Sequence, residues 1–405
     1  MRILNVSAQK PDSTGSGTYL SALVRAQLAA GHEPAVLCGA APGDTQGDIP
    51  SEVPVFTVDF ETPELPFKIC GMSDVMPYPS TRYRDLTPPK TAAFERAFAA
   101  TIDRAAAALE PDLVLCHHLY LVTALVRERI SGVPVVAVCH STDLRQLLSH
   151  GLERERILTA ARALDAVFAL HAEQATEIER VCGVDPARIH VVGTGYDHRV
   201  FCPDPAVRRT PGSLVYVGKV CIKKGVESLV RALGELSAQV APTVALTLVG
   251  GHGDAGEYDE IVHTAAQAPC PVAFAGRLSQ AELVRAYRSS EVFVLPSFFE
   301  GLPLVSIEAI ACGCKVVMTE LPGVRPWMEA ALPGAPVTWA APPAMLDVDT
   351  PDPAALPAFE ERLARAVEQA LAAPTPVCDP SGVSWDACSA RILEVAQTLK
   401  GGGHG

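Results

Sequence analysis

The chain has 405 residues, of which 48% are hydrophobic and 20% charged, and its formal net charge is −13. This composition excludes a disordered chain, the length suits two domains, and the acidic balance argues against a nucleic-acid partner. No apolar run reaches the roughly 18 residues of a membrane span. The N-terminus, MRILNVSAQKPD, turns polar too early for a signal peptide. We therefore expect a cytoplasmic protein whose twelve scattered cysteines are reduced.

Short apolar, β-branched runs alternate with amphipathic segments along the whole chain. Runs of this length are typical of parallel strands buried on both faces, and the segments between them are typical of helices. In chain order the predicted strands occupy residues 3–7, 34–39, 112–118, 134–141, 166–171, 189–195, 214–219, 244–251, 271–276, 292–297, 315–320 and 336–340. The alternation predicts an α/β protein with doubly wound, Rossmann-like sheets.

A polar segment, residues 196–213, separates the predicted strands into two sets. The sequence therefore predicts an N-terminal domain over residues 1–200 and a C-terminal domain over residues 201–383. A last helix over residues 384–400 is expected to return to the first domain through Trp385. Residues 60–90 are rich in proline and lack periodicity, so they form either a functional loop or a surface excursion.

Polar residues and glycines follow three predicted strands of the N-terminal domain. Gly15 and Gly17 lie after the first strand, where glycine lets a backbone approach a ligand, although a tight turn explains them equally well. His118 and His140 end two successive strands, and Asp143 follows the second of them. Because carboxyl ends of parallel strands meet at one edge, we expect these side chains to face a ligand. A structural role for each histidine is the alternative.

A basic turn follows the seventh predicted strand. Three of the eight lysines of the chain, Lys219, Lys223 and Lys224, precede a helix that is predicted to begin near Val226. Cations and helix N–H groups at this edge of a parallel sheet favour a phosphate or diphosphate ligand. The spacing is not that of a Walker A loop, and a solvated basic turn is the alternative.

A second glycine-rich turn follows the next strand. Gly251, Gly253 and Gly256 match the G-x-G-x-x-G spacing of dinucleotide-binding proteins. NAD-binding proteins carry an acidic residue after the following strand, where this chain has Arg277. An arginine at this position suits NADP, so an NADP-dependent oxidoreductase stays as an alternative function.

Two glutamates eight positions apart lie in the segment VFVLPSFFEGLPLVSIEAIACG. Glu300 lies in the loop after a strand, and Glu308 lies on the helix that begins near Leu304. A buried carboxylate costs free energy unless it accepts hydrogen bonds, which sugar hydroxyls supply. The backbone N–H groups of Leu304 and Val305 are placed to hold phosphate oxygens.

This segment resembles the Glu-x7-Glu motif of glycosyltransferase family 4, whose members have the GT-B fold, two Rossmann-like domains facing across a cleft. The other matching motifs cover nearly the whole chain in the family's order: GSG near Gly15, His118 after DLVLC, HSTD at 140–143, GTGYDHRVF at 193–201, GKVCIKKG at 218–225 and FAGRLSQAEL at 274–283. The resemblance implies an enzyme that moves glucose or N-acetylglucosamine from a UDP-sugar, or less readily a GDP-sugar, to an unidentified acceptor. Retention of configuration, with no metal and no cofactor, is also implied. A catalytically silent sugar-nucleotide binding protein is the remaining alternative.

The resemblance further implies roles for individual residues. His118 and Glu300 are the expected catalytic residues, and Glu300 contacts the donor sugar hydroxyls. The other expected contacts are Gly17, Lys219, Lys224, Leu304 and Val305 for the donor diphosphate, Arg277, Leu278 and Glu308 for the nucleoside, and Gly301, Leu302 and Pro303 for the donor sugar. The predicted acceptor contacts are His140 and Asp143 together with Arg82 and Arg84, because the arginines of the 60–90 segment suit an anionic group or a sugar ring.

Overall fold

The computed structural model describes residues 1–74, 76–374 and 378–401, and within them the chain forms two compact units. Unit 1 comprises Met1–Gly195 and the C-terminal segment from Trp385, and unit 2 comprises Tyr196–Ser384. The division falls at the start of the polar segment 196–213. No helix among the described residues combines the length and the apolar character needed to cross a bilayer.

Unit 1 is built on a parallel sheet of apolar, β-branched strands, buried because helices cover both faces. Its strands are β1 (Arg2–Val6), β2 (Glu33–Ala40), β3 (Val55–Asp59), β4 (Cys70–Gly71), β5 (Thr81–Arg82), β6 (Leu113–His117), β7 (Val135–Val138), β8 (Ala166–Ala169) and β9 (Ile189–Val191). Its helices are α1 (Gly15–Ala29), α2 (Pro88–Leu109), α3 (Leu121–Arg129), α4 (Ser141–Ser149), α5 (Arg154–Arg162) and α6 (Ala172–Cys182). The sheet has the order β3-β2-β1-β6-β7-β8-β9, and β4 pairs with β5 alone.

Unit 2 repeats this architecture with a second parallel sheet, of order β12-β11-β10-β13-β14-β15. Its strands are β10 (Ser213–Val217), β11 (Ala245–Val249), β12 (Val272–Gly276), β13 (Val292–Leu295), β14 (Lys315–Thr319), β15 (Val337–Ala340), β16 (Met345–Asp347) and β17 (Thr350–Pro351), the last two forming an antiparallel hairpin. Its helices are α7 (Val226–Ala232), α8 (Ala255–Ala265), α9 (Gln280–Ser289), α10 (Leu304–Ala311), α11 (Val324–Ala331) and α12 (Leu356–Ala372). Helix α13 (Trp385–Gly401) belongs to unit 1, where the Trp385 ring packs edge-on against Tyr19 of α1 at 5.0 Å.

Short 3-10 helices join several of these elements. They span Tyr83–Asp85, Pro186–Arg188, Ile222–Lys224, Leu233–Glu235, Ala241–Thr243, Pro353–Ala355 and Ser381–Val383. The one at Ile222–Lys224 shapes the basic turn between β10 and α7, so it matters for the site described below.

In both sheets the strand order reverses beside the first strand. Strand β1 lies between β2 and β6, with Ile3 opposite Pro34 on one side and Leu113 on the other. Strand β10 lies likewise between β11 and β13. Ligands of doubly wound sheets bind at the carboxyl ends of the strands beside such a reversal. The segments after β1 and β6, and those after β10 and β13, are therefore the places where a site is expected.

The predicted α/β architecture is confirmed, and all twelve predicted strands are present as β1, β2 and β6 to β15. Strand β3 was missed because it is a partly exposed edge strand that leads into the proline-rich segment. The description of residues 60–90 as a loop without regular structure was wrong in part. Phe60, Phe67 and Tyr83 are buried in the unit 1 core, and α2 begins at Pro88, where a fixed φ suits the first helical turn.

Candidate functional site

A histidine–aspartate pair lies beside the strand reversal of unit 1. His118 directly follows β6, and its Nδ1 lies 2.5 Å from Oδ1 of Asp143 in α4. Oδ2 of the fully buried Asp143 accepts the backbone N–H groups of Leu119 and His140, at 2.7 and 2.9 Å. Burial by itself raises the pKa of Asp143, but the His118 ring and these donors hold that pKa below its ordinary value. The carboxylate is therefore charged at neutral pH.

Three contacts fix the orientation of His118. A charged Asp143 keeps a proton on Nδ1, and Nε2 lies 2.9 Å from Oγ of Ser16 in α1. The backbone of His118 has a φ of +80°, which non-glycine residues rarely adopt. The hydroxyl of Thr123 donates to the carbonyl of His118 and holds this conformation. Strained residues of this kind persist where the surroundings over-determine them, commonly at functional sites.

Two further histidines extend the cluster. His140 lies 4.8 Å from His118 between ring centroids, and His117 stacks on His140 at 6.0 Å. Burial lowers the pKa of His140 to about 3, so this ring is neutral at physiological pH. Nε2 of His140 and both ring nitrogens of His117 have no hydrogen-bond partner in the described part of the chain. The sequence did not identify Ser16, which only the packing of α1 brings to His118.

Gly17 allows two segments of unit 1 to approach closely. A Cβ atom at this position would lie 2.8 Å from the carbonyl oxygen of Lys10 and 2.9 Å from the nitrogen of Asp12. The N–H of Gly17 donates to Oγ1 of Thr14, the N-cap of α1. The glycine therefore packs the segment after β1 onto the first turn of the helix. Its expected contact with a diphosphate stays a prediction.

In unit 2, the basic turn meets the loop that carries Glu300. Nζ of Lys224 donates to Oε1 of Glu300 at 2.7 Å, with the two side chains 33% and 15% exposed. Gly225, at φ +68°, makes this approach possible, because a Cβ there would collide with the carbonyl of Pro296. The structure thus brings together two predicted site residues from segments that follow β10 and β13.

The other cations of this region have different surroundings. Nζ of Lys223 lies 2.9 Å from Asp349 of the β16–β17 hairpin. Lys219 lies against Gly253, where a Cβ would meet its ammonium group, and Arg277 lies against Gly251, whose Cβ would be 2.8 Å from Nε. Neither Lys219 nor Arg277 has a carboxylate partner among the described residues. The glycines of the G-x-G-x-x-G segment therefore make room for two cationic side chains.

Glu308 lies on α10, where Oε2 accepts a hydrogen bond from the Tyr287 hydroxyl at 3.3 Å. Burial raises the pKa of Glu308 to about 7, and the Tyr287 bond lowers it only in part. Hydroxyl donors from a ligand would stabilise the charged form. Oγ of Ser306 on the same helix is also buried without a partner in the described residues.

Helix α10 begins without a side-chain cap. Its N-cap is Pro303, which provides no side-chain hydrogen bond, so the N–H groups of Leu304 and Val305 are open to a ligand anion. Gly301 and Leu302 connect this helix start to Glu300. Leu278 is half-buried in the segment between β12 and α9. These residues lie in segments that follow β12 and β13, and their expected contacts with the nucleoside and the donor sugar stay predictions.

The two arginines predicted for the acceptor pair within their own segment. Nε of Arg82 donates to Asp85 at 2.7 Å, and Nη2 of Arg84 donates to Asp74 at 2.8 and 3.0 Å. Each guanidinium charge is thereby neutralised locally. This arrangement gives no support to an anion bound by these arginines.

No cluster of three or more potential metal-ligating side chains is present among the described residues. All twelve cysteines lie in the described part of the chain and are free thiols. Burial raises the pKa of both Cys312 and Cys314 to about 12, so these thiols are protonated at neutral pH and act as packing groups.

Two family models match the chain: Glycosyltransferase Family 4 over residues 13–200 and Glycosyl transferases group 1 over residues 211–346. Alpha-maltose-1-phosphate synthase of Mycolicibacterium smegmatis is 31% identical over 60% of this chain and 65% of its own length. D-inositol 3-phosphate glycosyltransferase of Mycobacteroides abscessus is 30% identical over 56% of each chain. The match therefore spans less than two thirds of either relative. Glycogen synthase of Mycobacterium tuberculosis is 28% identical over 99% of this chain and 96% of its own.

Solved glycosyltransferase structures share the fold. Sucrose-phosphate synthase from Thermosynechococcus elongatus superposes with a TM-score of 0.65 at 19% identity, over 98% of this chain and 99% of its own. HepE of Anabaena, in complex with UDP and glucose, superposes with a TM-score of 0.65 at 17% identity, over 98% of this chain and 100% of its own. The oxidoreductase alternative is therefore wrong, because the match includes the G-x-G-x-x-G segment on which it rested. The chain belongs to glycosyltransferase family 4 and has the GT-B fold that its Glu-x7-Glu segment predicted.

Proposed function

We propose that this glycosyltransferase transfers a hexose from a nucleoside diphosphate sugar to an acceptor hydroxyl and retains the anomeric configuration. UDP-glucose and UDP-N-acetylglucosamine are the preferred donors. The observation that carries the proposal is the 2.7 Å pair between Lys224 and Glu300 beside the strand reversal of unit 2. A bound sugar diphosphate can replace both partners of this pair. Lys224 then donates to a phosphate oxygen, and Glu300 accepts hydrogen bonds from sugar hydroxyls.

The charge on the departing diphosphate is the main electrostatic problem of this reaction. Lys219 and Arg277 supply two cations without carboxylate partners in the described chain, and α10 supplies uncapped N–H groups at Leu304 and Val305. Such fixed donors stabilise developing negative charge without reorganising during the reaction. We assign the donor to unit 2 for this reason, and the acceptor to unit 1.

The bond changes balance without a protein nucleophile. The bond between the anomeric carbon and the β-phosphate oxygen breaks, and the bond to the acceptor oxygen forms on the same face of the sugar. The proton of the acceptor hydroxyl passes to the leaving phosphate oxygen. Glu300 binds and orients the donor sugar once a phosphate oxygen has replaced its carboxylate as the partner of Lys224.

His118 orients a sugar hydroxyl in this proposal. With Nδ1 held by Asp143, Nε2 exposes a lone pair that accepts a hydrogen bond, now directed at Ser16. A sugar hydroxyl would take the place of the serine. Glu308 is assigned to the ribose, because two hydroxyl donors would offset the burial of its carboxylate.

Relatives support a hexosyl donor but differ in their named products. Alpha-maltose-1-phosphate synthase and glycogen synthase are both named for glucosyl products, and HepE was solved with UDP and glucose.

The test is a donor panel of UDP-glucose, UDP-N-acetylglucosamine, ADP-glucose and GDP-mannose, with hydrolysis and transfer followed by mass spectrometry. We expect turnover of a UDP-sugar and an axial product anomer by NMR from an axial donor. Inversion of the anomer contradicts the proposed retention of configuration. Preference for an ADP- or GDP-sugar contradicts the proposed UDP-sugar donor. Tight nucleotide binding without any turnover would identify a silent binding protein instead.

A further inference from the structure

A cavity of about 250 Å3 in unit 1 lies between the segment after β1, the carboxyl end of β2 with the loop that follows it, and Val55 and Thr57 of β3, outside the residues assigned above. Its polar lining includes Lys10, Asp12, Ser13, Asp44, Gln46 and Thr57. This volume is below the roughly 300–1,000 Å3 of pockets for drug-sized ligands, so the cavity suits one small ring.

Glycines shape the walls of this cavity. Gly39 at the end of β2 lies so close to Ala8 that a Cβ would be 2.5 Å from the Ala8 carbonyl oxygen. Gly47 has a φ of +59°, and a Cβ there would collide with the carboxylate of Asp12. Together with Gly17, which packs on the backbone of Lys10, these contacts hold the lining segments in place. The cavity is therefore a feature of the fold rather than a gap between side chains.

The charge of the lining is negative. Lys10 pairs with Asp44, with the two side chains 18% and 24% exposed, and Asp12 accepts a hydrogen bond from Ser13 at 2.7 Å. One lysine and two aspartates leave a net charge of −1 among the lining residues. The thiol of Cys38 responds to this field: burial first, then the carboxylates of Asp12, Asp44 and Asp59, raise its pKa to about 12.

We propose that this cavity binds the acceptor, and that the bound group is an uncharged polyhydroxylated ring rather than a sugar phosphate. This inference rests on the proposed glycosyltransfer. Carboxylate oxygens accept hydrogen bonds from ring hydroxyls, and so can Oε1 of Gln46, whose amide N–H groups are donated to the carbonyls of Pro50 and Val53. The hydroxyl of Thr57 can donate to a ring oxygen. A phosphate would bring about two further negative charges beside Asp12 and Asp44, which like-charge repulsion disfavours.

The cavity also shares a segment with His118. The chain that provides Lys10 to Ser13 continues into α1, where Oγ of Ser16 lies 2.9 Å from Nε2 of His118. Asp12 lies four positions before Ser16, so the lining of the cavity and a contact of the predicted catalytic histidine belong to one segment. Arg82 and Arg84, the cations predicted earlier for an anionic acceptor, are each neutralised by an aspartate, which agrees with a neutral ligand.

The experiment compares matched neutral and phosphorylated acceptors: glucose with glucose 6-phosphate, and myo-inositol with inositol 1-phosphate. Each is offered to the full chain with the donor that it hydrolyses, and transfer and donor hydrolysis are measured separately. We expect the neutral member of at least one pair to have a kcat/KM about tenfold higher or more than its phosphate. Asp44→Asn should raise the KM for the neutral acceptor about fivefold and leave donor hydrolysis unchanged.

The control is Asp59→Asn, which removes the same charge from an exposed residue at the end of β3, outside the lining. It should leave transfer unchanged. The double variant Asp12→Asn with Asp44→Asn turns the lining net positive and should shift the preference toward the phosphorylated acceptor, with melting temperatures checking that each variant folds.

The inference is overturned if the unaltered chain prefers a phosphorylated probe, if Asp44→Asn and Asp59→Asn behave alike, or if the donor is hydrolysed while no neutral probe is ever glycosylated. Failure of the proposed function has a different signature, since in that case no nucleotide sugar is bound or hydrolysed at all.

Discussion

Each unit places a hydrogen-bonded carboxylate pair beside a strand reversal, but the two pairs differ in burial. In unit 1, Asp143 is fully buried and binds His118 and two backbone N–H groups. In unit 2, Lys224 and Glu300 are 33% and 15% exposed and have one bond between them. A buried, fully bonded pair belongs to the folded structure, whereas a partly exposed pair can exchange its partner for a ligand. The comparison predicts that mutations affect folding in unit 1 and nucleotide binding in unit 2.

The largest expected effect on stability is that of Asp143→Asn. Asparagine keeps one acceptor oxygen and places an NH2 group where the other was, so either the His118 ring or the two backbone N–H groups lose their acceptor. The unfolding free energy should therefore fall by about 3–5 kcal/mol. Urea unfolding measures this. The control is Asp103→Asn, which breaks an exposed pair with Arg129 and should cost less than about 1 kcal/mol. Similar losses for the two variants would contradict the distinction drawn for unit 1.

The raised pKa of Glu308 predicts that the stability of the protein depends on pH. Its folded pKa is about 7, against roughly 4.3 in an unfolded chain, so the folded state holds this proton more tightly. The resulting stabilisation is fully present below about pH 4 and is lost as the pH rises through 7. Relative to Glu308→Gln, the unaltered protein should lose about 2–3 kcal/mol of unfolding free energy between pH 5 and pH 8.

Urea titrations at several pH values check this expectation. The matched control is Glu329→Gln, an exposed partner of Arg325, which should keep the pH dependence of the unaltered protein. If Glu308→Gln shows the same pH dependence as the unaltered protein, the carboxyl of Glu308 titrates normally and its assignment to the ribose loses its physical basis.

Arg84→Ala should have a small effect. Its guanidinium pairs with Asp74 at the surface, with side chains 39% and 38% exposed, so the loss of stability should be below about 1 kcal/mol. Transfer to a neutral acceptor should change by less than about threefold. A loss of transfer well beyond that, at unchanged melting temperature, would restore the acceptor-binding role first predicted for this arginine.

Chelation should have no effect. The proposed charge stabilisation comes from lysines, an arginine and helix N–H groups, so donor hydrolysis in EDTA should equal that in buffer alone. Hydrolysis that disappears in EDTA and returns on adding manganese or magnesium would show that unit 2 uses a metal ion.

The sequence predicts the unit 2 site better than the unit 1 site, for a physical reason. Lys224 and Glu300 lie in turns that follow strands, and Glu308 lies on the helix that follows the second of these turns. The edge of a parallel sheet therefore brings them to one region without knowledge of helix packing. Even there, the positions of Arg277 on Gly251 and of Lys219 on Gly253 came only from the structure. Each of these two cationic side chains packs against a glycine, a contact that the sequence does not reveal.

In unit 1 the decisive contacts join residues far apart in the chain. Ser16 reaches His118 across about a hundred positions because α1 packs over the sheet, and no local periodicity encodes that distance. The core role of Phe60, Phe67 and Tyr83 was hidden in the same way, since aromatic residues between prolines show no helical or strand period. The cavity proposed for the acceptor is lined by Val55 and Thr57 of β3, the strand that the sequence did not predict.

The central claim is that the unit 2 pair exchanges its internal partner for a diphosphate, and calorimetry of Lys224→Ala tests it most directly. UDP affinity should fall by about 1.5–3 kcal/mol, while uridine affinity stays unchanged. Lys223→Ala removes the same charge from the same turn, but this lysine is 58% exposed and binds Asp349, so it should lose far less UDP affinity. Equal losses for UDP and uridine, or equal losses for the two lysine variants, would contradict the account.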